Sequence, residues 1–212
     1  KQRRTGLMAD VHFFPFPYHL RCKFGQGGEA GERASIRYLE SVLHDQESGL
    51  PNRLHLDRTL TLLAENGSPF AILAIDMDGF KQVNDLYGHQ VGDKLLAIIG
   101  QRILSCLPGT DFPARIGGDE FMILVIGDTD LRQRAVEMAR RVNAAIAEPM
   151  VIDGHVIHIN CSIGVTLWPE EADDFETALG LADTAMYLAK RRRLGFVQSL
   201  RGTAFPVPSD LA

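Results

Sequence analysis

The run Phe70-Ala71-Ile72-Leu73-Ala74-Ile75 constrains this chain more than any other feature. Six apolar residues in a row, without alternation, fit a strand buried on both faces, since a strand with one wet face carries a polar residue at every second position. Such a strand has to be covered on each side. The run stops at Asp76-Met77-Asp78, where two carboxylates flank a methionine, and the strand is expected to end there.

The periodicity on either side supplies the covering layers. A turn at Gly49-Leu50-Pro51-Asn52-Arg53 precedes a helix-like segment from Leu54 to about Glu65, broken at Asn66-Gly67-Ser68-Pro69. Leu95, Leu96, Ile98, Ile99, Ile103 and Leu104 give a helix after Gly92-Asp93. "FPARI" and "FMILVI" are the arms of a hairpin around Gly117-Gly118-Asp119-Glu120. A helix from about Leu131 to Ala147 follows. "VIDGHVIHINCSIGVTLW" reads as a second hairpin turning at Asp153-Gly154, and Phe175 to Arg191 as the last helix. This order predicts an α+β fold, an α/β sandwich with a mixed central sheet flanked by helices.

The ends of the chain differ from this middle. Residues 1–31, rich in Gly, Pro and aromatics and closing on "GQGGEAG", read as a flexible N-terminal flank or linker. Residues 32–46 carry Ala34, Ile36, Leu39, Val42 and Leu43 at helical spacing, an entry helix that either packs on its own domain or pairs as a coiled coil. The domain proper is placed at 47–199, with 200–212 as a tail or linker. Because the chain opens at Lys1, it is expected to be a piece of a longer protein.

Composition narrows the partners. With 212 residues and 45% hydrophobic content the chain can bury one ordinary core. A formal net charge of −5 offers no broad footprint for nucleic acid, which is disfavoured as a partner. Cys22, Cys106 and Cys161 have neither disulfide-framework nor zinc spacing, and a reducing, cytoplasmic setting is expected. No apolar run approaches the ~20 residues that span a bilayer, so no membrane contact is expected of this domain, although the parent protein could be anchored elsewhere.

The chemistry lies at the strand ends. Asp76 and Asp78 close one strand and Asp119 and Glu120 sit at a hairpin tip, and ends of neighbouring strands can lie side by side. Hard oxygen ligands of this kind suit Mg²⁺ (or Mn²⁺), which takes one or two protein carboxylates plus substrate phosphates. Gly117 and Gly118 allow φ > 0 and close approach of a ligand to the backbone. Taken singly, each feature is equally an ordinary one: a solvated turn, a strand end. The segment "DMDGFKQVNDLYGHQVGD" adds Lys81, Asn84, Asp85 and Asp93 around short turns. An amide and a carboxylate can pair with the edge of guanine, and a lysine can balance a phosphate. His89 has no ligand-type neighbour and reads as structural, Met186 and Tyr187 as packing, and Lys190-Arg191-Arg192-Arg193 as complement to a helix C-terminus.

"GGDEF" at Gly117 to Phe121, with "DMDGFKQVNDLYGHQVGD" and "GLPNR" before it and "CSIGVTLWP" and "ADTAMYLAK" after it, closely resembles the GGDEF family of bacterial diguanylate cyclases. The resemblance runs from about Asp45 to Gly195. It implies the palm-like sandwich of nucleotidyl cyclases and polymerases, and the joining of two GTP molecules into cyclic di-GMP with release of two pyrophosphates, each subunit of a homodimer presenting one GTP. Carried over, it places two Mg²⁺ ions on Asp76 and Asp119 with the Met77 carbonyl, guanine on Asn84 and Asp93, phosphates on Lys81 and Lys190, and room for the nucleotide at Gly117 and Gly118. Asp119 or Glu120 is the candidate base. Family members also carry sensor or effector domains beyond this one.

Several positions depart from the family's pattern. Leu194 stands where active members have a phosphate-binding arginine, leaving Arg193 or Arg192 as substitutes. In the Arg-x-x-Asp of the family's inhibitory product site the arginine is Pro108, although Asp111 remains, so product inhibition here is expected to be weak or absent. Glu47-Ser48 replace Leu-Thr at the junction with the entry helix, and Ile116 takes a place where an aromatic is common. The leading expectation is a diguanylate cyclase domain. The alternatives are a GTP-binding regulatory module with little turnover, controlling an attached domain such as a cyclic di-GMP phosphodiesterase, and some other Mg²⁺-dependent phosphoryl-transfer enzyme.

Overall fold

The computed structural model describes residues 42–198. The N-terminal flank, most of the expected entry helix and the tail lie outside the described residues. From His44 on, the described residues form one compact unit built on a five-stranded mixed sheet.

The central strand is β1, Phe70–Asp78, with antiparallel neighbours on both sides: β3, Glu120–Ile126, and β6, Asn160–Trp168. β2, Phe112–Gly117, pairs with β3 at one edge, and the short β7, Phe196–Gln198, runs parallel to β6 at the other, giving the order β2-β3-β1-β6-β7. β4, Met150–Ile152, and β5, His155–Ile157, form a separate hairpin. Among the described residues there are five full helices: α1 (Arg53–Glu65), α2 (Phe80–Tyr87), α3 (His89–Cys106), α4 (Leu131–Ala147) and α5 (Phe175–Arg192).

The unbroken apolar run does what it predicts. Ala71, Leu73, Ile75 and Met77 point into the cluster capped by α3 and α4, while Phe70, Ile72 and Ala74 point into the one capped by α1 and α5. Phe70, Ile72, Leu73 and Ile75 are almost fully buried. Each contributes roughly 1.5–3 kcal/mol of transfer free energy, so this strand anchors both layers.

The expected mixed sandwich is therefore present, with differences at the motif ends. β1 itself ends at Asp78 as expected, with Asp76, Met77 and Asp78 still paired with Ser162, Cys161 and Asn160 on β6. "DGFKQVNDLY" is not a set of short turns. It folds as α2 after a left-handed Gly79 (φ 87°), with Phe80 and Val83 buried one turn apart. α3 starts at His89, so Gly92 and Asp93 lie inside its first turns. The second hairpin does turn at Asp153-Gly154, both with positive φ, but its far arm breaks after Ile157, and residues 160–168 leave it for the main sheet.

One close contact sets the position of the last helix. A Cβ on Gly164 in β6 would lie 1.9 Å from the Ala182 carbonyl oxygen and 2.3 Å from the Met186 nitrogen. The α5 stripe of Ala178, Ala182, Ala185 and Ala189 is fully buried, so helix backbone and sheet approach with only small side chains between them. That approach carries Lys190, in the last turn of α5, over the end of β1.

Candidate active site

The register of β1 with β3 places Asp76 directly opposite Glu120, so both carboxylates leave the sheet on the same face. Between the arms, Gly118 takes a left-handed conformation (φ 48°), and a Cβ at either glycine of the turn would meet nothing within 4 Å. The turn is open to a ligand. Asp119 is tied back to the central strand by its own carbonyl, which accepts a hydrogen bond from the Met77 amide at 3.2 Å. Two of the predicted acids and the Met77 backbone thus meet at one point.

Their electrostatics agree. Partial burial, then the Asp76 carboxylate, raise Asp119 above its ordinary carboxyl value. Glu120 is raised by partial burial and by Asp76, Asp183 and Asp119. Like charges in a partly desolvated corner disfavour the ionised form, and a cation relieves them. Lys190 supplies a side-chain cation there, its Nζ donating to Asp76 Oδ1 at 2.5 Å. Burial works against the Lys190 ammonium, but Asp76, Asp78 and Asp119 outweigh it and hold its pKa above the ordinary value. Asp78 accepts from Ser162 Oγ at 3.0 and 3.1 Å and is held within the sheet.

Among the described residues no three His, Cys, Asp or Glu side chains converge as a complete metal cage. Two carboxylates beside a backbone carbonyl, with Asp119 raised by Asp76, nevertheless fit Mg²⁺, which keeps most of its shell for water and phosphate.

The remaining predicted residues lie on α2, α3 and the end of α5. Lys81 is exposed on the first turn of α2. Asn84, one turn on, has a buried Oδ1 with no hydrogen-bond partner, an arrangement that costs free energy unless a ligand satisfies it. Gly92 makes space for that amide: a Cβ there would sit 1.9 Å from Asn84 Oδ1. Asp93 follows Gly92 and is exposed. Lys190, Arg193, Asp78 and Asn160 line a cavity of about 580 Å³, while Leu194 in its rim is 55% exposed.

One oxygen of Asp111 is committed internally, while the buried Oδ2 has no hydrogen-bond partner. Its side chain is 1% exposed, and Oδ1 accepts from the Ile126 amide at 3.1 Å and Arg134 Nη2 at 3.3 Å. Arg115 is a site residue the motif reading missed: only 8% exposed, it donates from Nε and Nη2 to the Gly118 carbonyl. The available signal was a charged residue inside the apolar arm "FPARI".

Comparison with known proteins agrees with this geometry. The family described as diguanylate cyclase, GGDEF domain, matches residues 42–194. The diguanylate cyclase TpbB of Pseudomonas aeruginosa is 38% identical over 169 residues, which cover 77% of this chain and 38% of TpbB. The cyclic di-GMP phosphodiesterase PdeR of Escherichia coli is 38% identical over 161 residues, 74% of this chain and 24% of PdeR. The chain thus spans well under half the length of these curated relatives. The structure of a sensory box/GGDEF family protein from Caulobacter crescentus superposes with a TM-score of 0.63 at 35% identity, covering 71% of this chain and 99% of that one. By motif, fold and similarity, the chain belongs to the GGDEF family of diguanylate cyclase domains.

Proposed function

We propose that this domain condenses two GTP molecules into cyclic di-GMP, releasing two pyrophosphates, as a homodimer in which each copy presents one GTP. The observation that carries this reading is the convergence of Asp76, Asp119 and the Met77 backbone at the ends of β1 and β3 beside Lys190. Asp76 and Asp119 with the Met77 carbonyl would hold Mg²⁺, which, when bound, neutralises phosphate charge and lowers the pKa of the attacking 3′-hydroxyl.

The chain's own groups do the rest. The Asn84 amide, unpartnered and buried, accepts from the guanine edge, and the exposed Asp93 carboxylate pairs with the same edge from α3. Lys190 is placed to exchange Asp76 for an incoming phosphate, Lys81 meets phosphate from α2, and the open Gly117-Gly118 turn admits the nucleotide. Glu120, raised by partial burial and then by its acidic neighbours, is the better proton acceptor of the two candidates, because Asp119 is needed as a ligand. Product inhibition through residues 108–111 is weak or absent in this reading, since Pro108 supplies no donor and Asp111 Oδ1 is already bonded to the Ile126 amide and Arg134.

Incubating the domain with GTP and Mg²⁺, separating nucleotides by chromatography and running Asp119→Ala beside it tests the reading. Cyclic di-GMP from the parent and none from the variant is expected, and turnover that persists in the variant rejects it. A second reading, a GTP-binding regulatory module attached to a phosphodiesterase, is favoured by Leu194 and by the similarity to PdeR. GTP binding without product, dependent on Asn84, selects it.

A further inference from the structure

We infer that Arg115 is a positioning residue for the turn that carries Asp119, and that Glu47 at the domain's leading edge completes its grip. The residue lies in β2, before an irregularity that leaves Ile116 unpaired and lets the chain reach Gly117 opposite Glu120. Its guanidinium folds back along its own strand. Nε and Nη2 both donate to the Gly118 carbonyl, at 2.9 and 2.7 Å, which saturates that oxygen's two lone pairs. Nη1 donates to Asp45 Oδ1 at 2.7 Å and to Glu47 Oε2.

The bonded carbonyl belongs to the peptide that leads into Asp119. A peptide is planar, so fixing the Gly118 oxygen fixes the orientation of the Asp119 amide and the direction in which its Cα departs. The next peptide is fixed as well, since the Asp119 carbonyl accepts from Met77. Asp119 is thereby clamped on both sides within a Gly-Gly turn that, by its residue types, has a wide conformational choice.

The other end of the clamp does not float. Asp45 Oδ1 also accepts from the Ser48 amide at 2.8 Å and the Ser48 hydroxyl at 2.7 Å. Leu50 is fully buried, and a Cβ on Gly100 of α3 would lie 2.4 Å from the Ser48 carbonyl oxygen, so this loop sits hard against the helix. Pro51 accepts from the Arg115 amide at 2.9 Å. Residues 45–52 thus form a rigid seat, and Arg115 carries its position to the signature turn. The side chain is 8% exposed, so these bonds compete with little water, and a lysine, which offers a point charge instead of a fork, cannot make both ends. Asp45 alone would neutralise the arginine. Glu47, 45% exposed, adds the second acceptor that uses the remaining Nη1 donor and fixes the plane of the fork.

The activity part of the test rests on the cyclase reading, and the exchange part does not. Arg115→Lys and Glu47→Gln are made in the 212-residue chain, and each is measured for kcat and KM with GTP, for Tm, and for hydrogen–deuterium exchange resolved to the turn and to β1. In Arg115→Lys, kcat is expected to fall about tenfold to a hundredfold with KM within about threefold, because a displaced ligand costs the transition state more than binding. Turn amides at 118–120 exchange about tenfold faster while β1 keeps its protection. Glu47→Gln moves both readouts in the same direction by about twofold to fivefold, and at its exposed position it keeps the test open should the lysine variant fail to fold.

A fall in Tm with kcat per folded molecule and turn exchange unchanged overturns the inference, because a merely structural ion pair gives that result. If the parent makes no cyclic di-GMP, the cyclase reading fails. Turn exchange then decides alone: acceleration in Arg115→Lys upholds the clamp, and unchanged exchange refutes it.

Discussion

Lys190 Nζ lies 2.5 Å from Asp76 Oδ1, joining the last turn of α5 to the end of the central strand across 114 residues of sequence. The lysine is 46% exposed, so as an ion pair it contributes at most about 1 kcal/mol to stability. Under the proposed reading its larger role is to meet the incoming phosphate.

Lys190→Met is accordingly expected to lower Tm only slightly while raising KM for GTP about tenfold, the usual scale for losing a charge-assisted hydrogen bond. With the ammonium gone, Asp76, Asp119 and Glu120 repel without compensation, so added Mg²⁺ should raise Tm more in the variant than in the parent. An unchanged KM, measured by steady-state kinetics, argues against a phosphate role.

Asp119 and Glu120 are held above their ordinary values by partial burial first and by neighbouring carboxylates second. A carboxyl raised in the folded state binds its proton more tightly there, so ionising it lowers stability. That loss is absent below the unfolded value of 3.8 and complete above the raised folded one. Asp119→Asn should therefore melt above the parent near pH 7 in the presence of a chelator, with the difference vanishing near pH 3. Equal melting temperatures at neutral pH contradict this.

Gly92→Ala inserts a methyl 1.9 Å from the Asn84 amide oxygen, and the amide, as the movable end of a side chain, has to swing away. The fold survives at a cost of about 1–3 kcal/mol. Guanine recognition does not: titrations with GTP and ATP should show affinity for GTP falling toward that for ATP. Retained selectivity removes Asn84 from the guanine site.

Arg193 occupies the left-handed C-cap of α5 (φ 54°) and lines the cavity beside Lys190, while Leu194 faces solvent. Arg193→Ala is expected to raise KM for GTP about tenfold, and Leu194→Arg to lower it, through loss and gain of a forked donor to phosphate. If Arg193→Ala leaves KM unchanged, the cavity does not hold the phosphates.

How much of this was legible beforehand follows from how local each cause is. The two-faced burial of β1, the hairpin around Gly117-Gly118 and the long helices α4 and α5 are written in periodicities of 2 and 3.6 and in glycines, which act on neighbours in sequence. The order of motifs placed the family. β7 was not readable, because three residues are too few to show a period and are held by what they pack against; α2 does space Phe80, Val83 and Tyr87 at helical intervals, but the glycines at both its ends read as turns.

The sequence by itself determined that two pairs of acids end apolar strands and that a Gly-Gly turn stands between them. Only the tertiary structure decided that Asp76 faces Glu120, that Gly164 lets α5 bring Lys190 onto Asp76, and that Arg115 reaches Gly118, Asp45 and Glu47 together. Those relationships depend on strand register and on backbone approach between elements far apart in the chain, which no local pattern encodes.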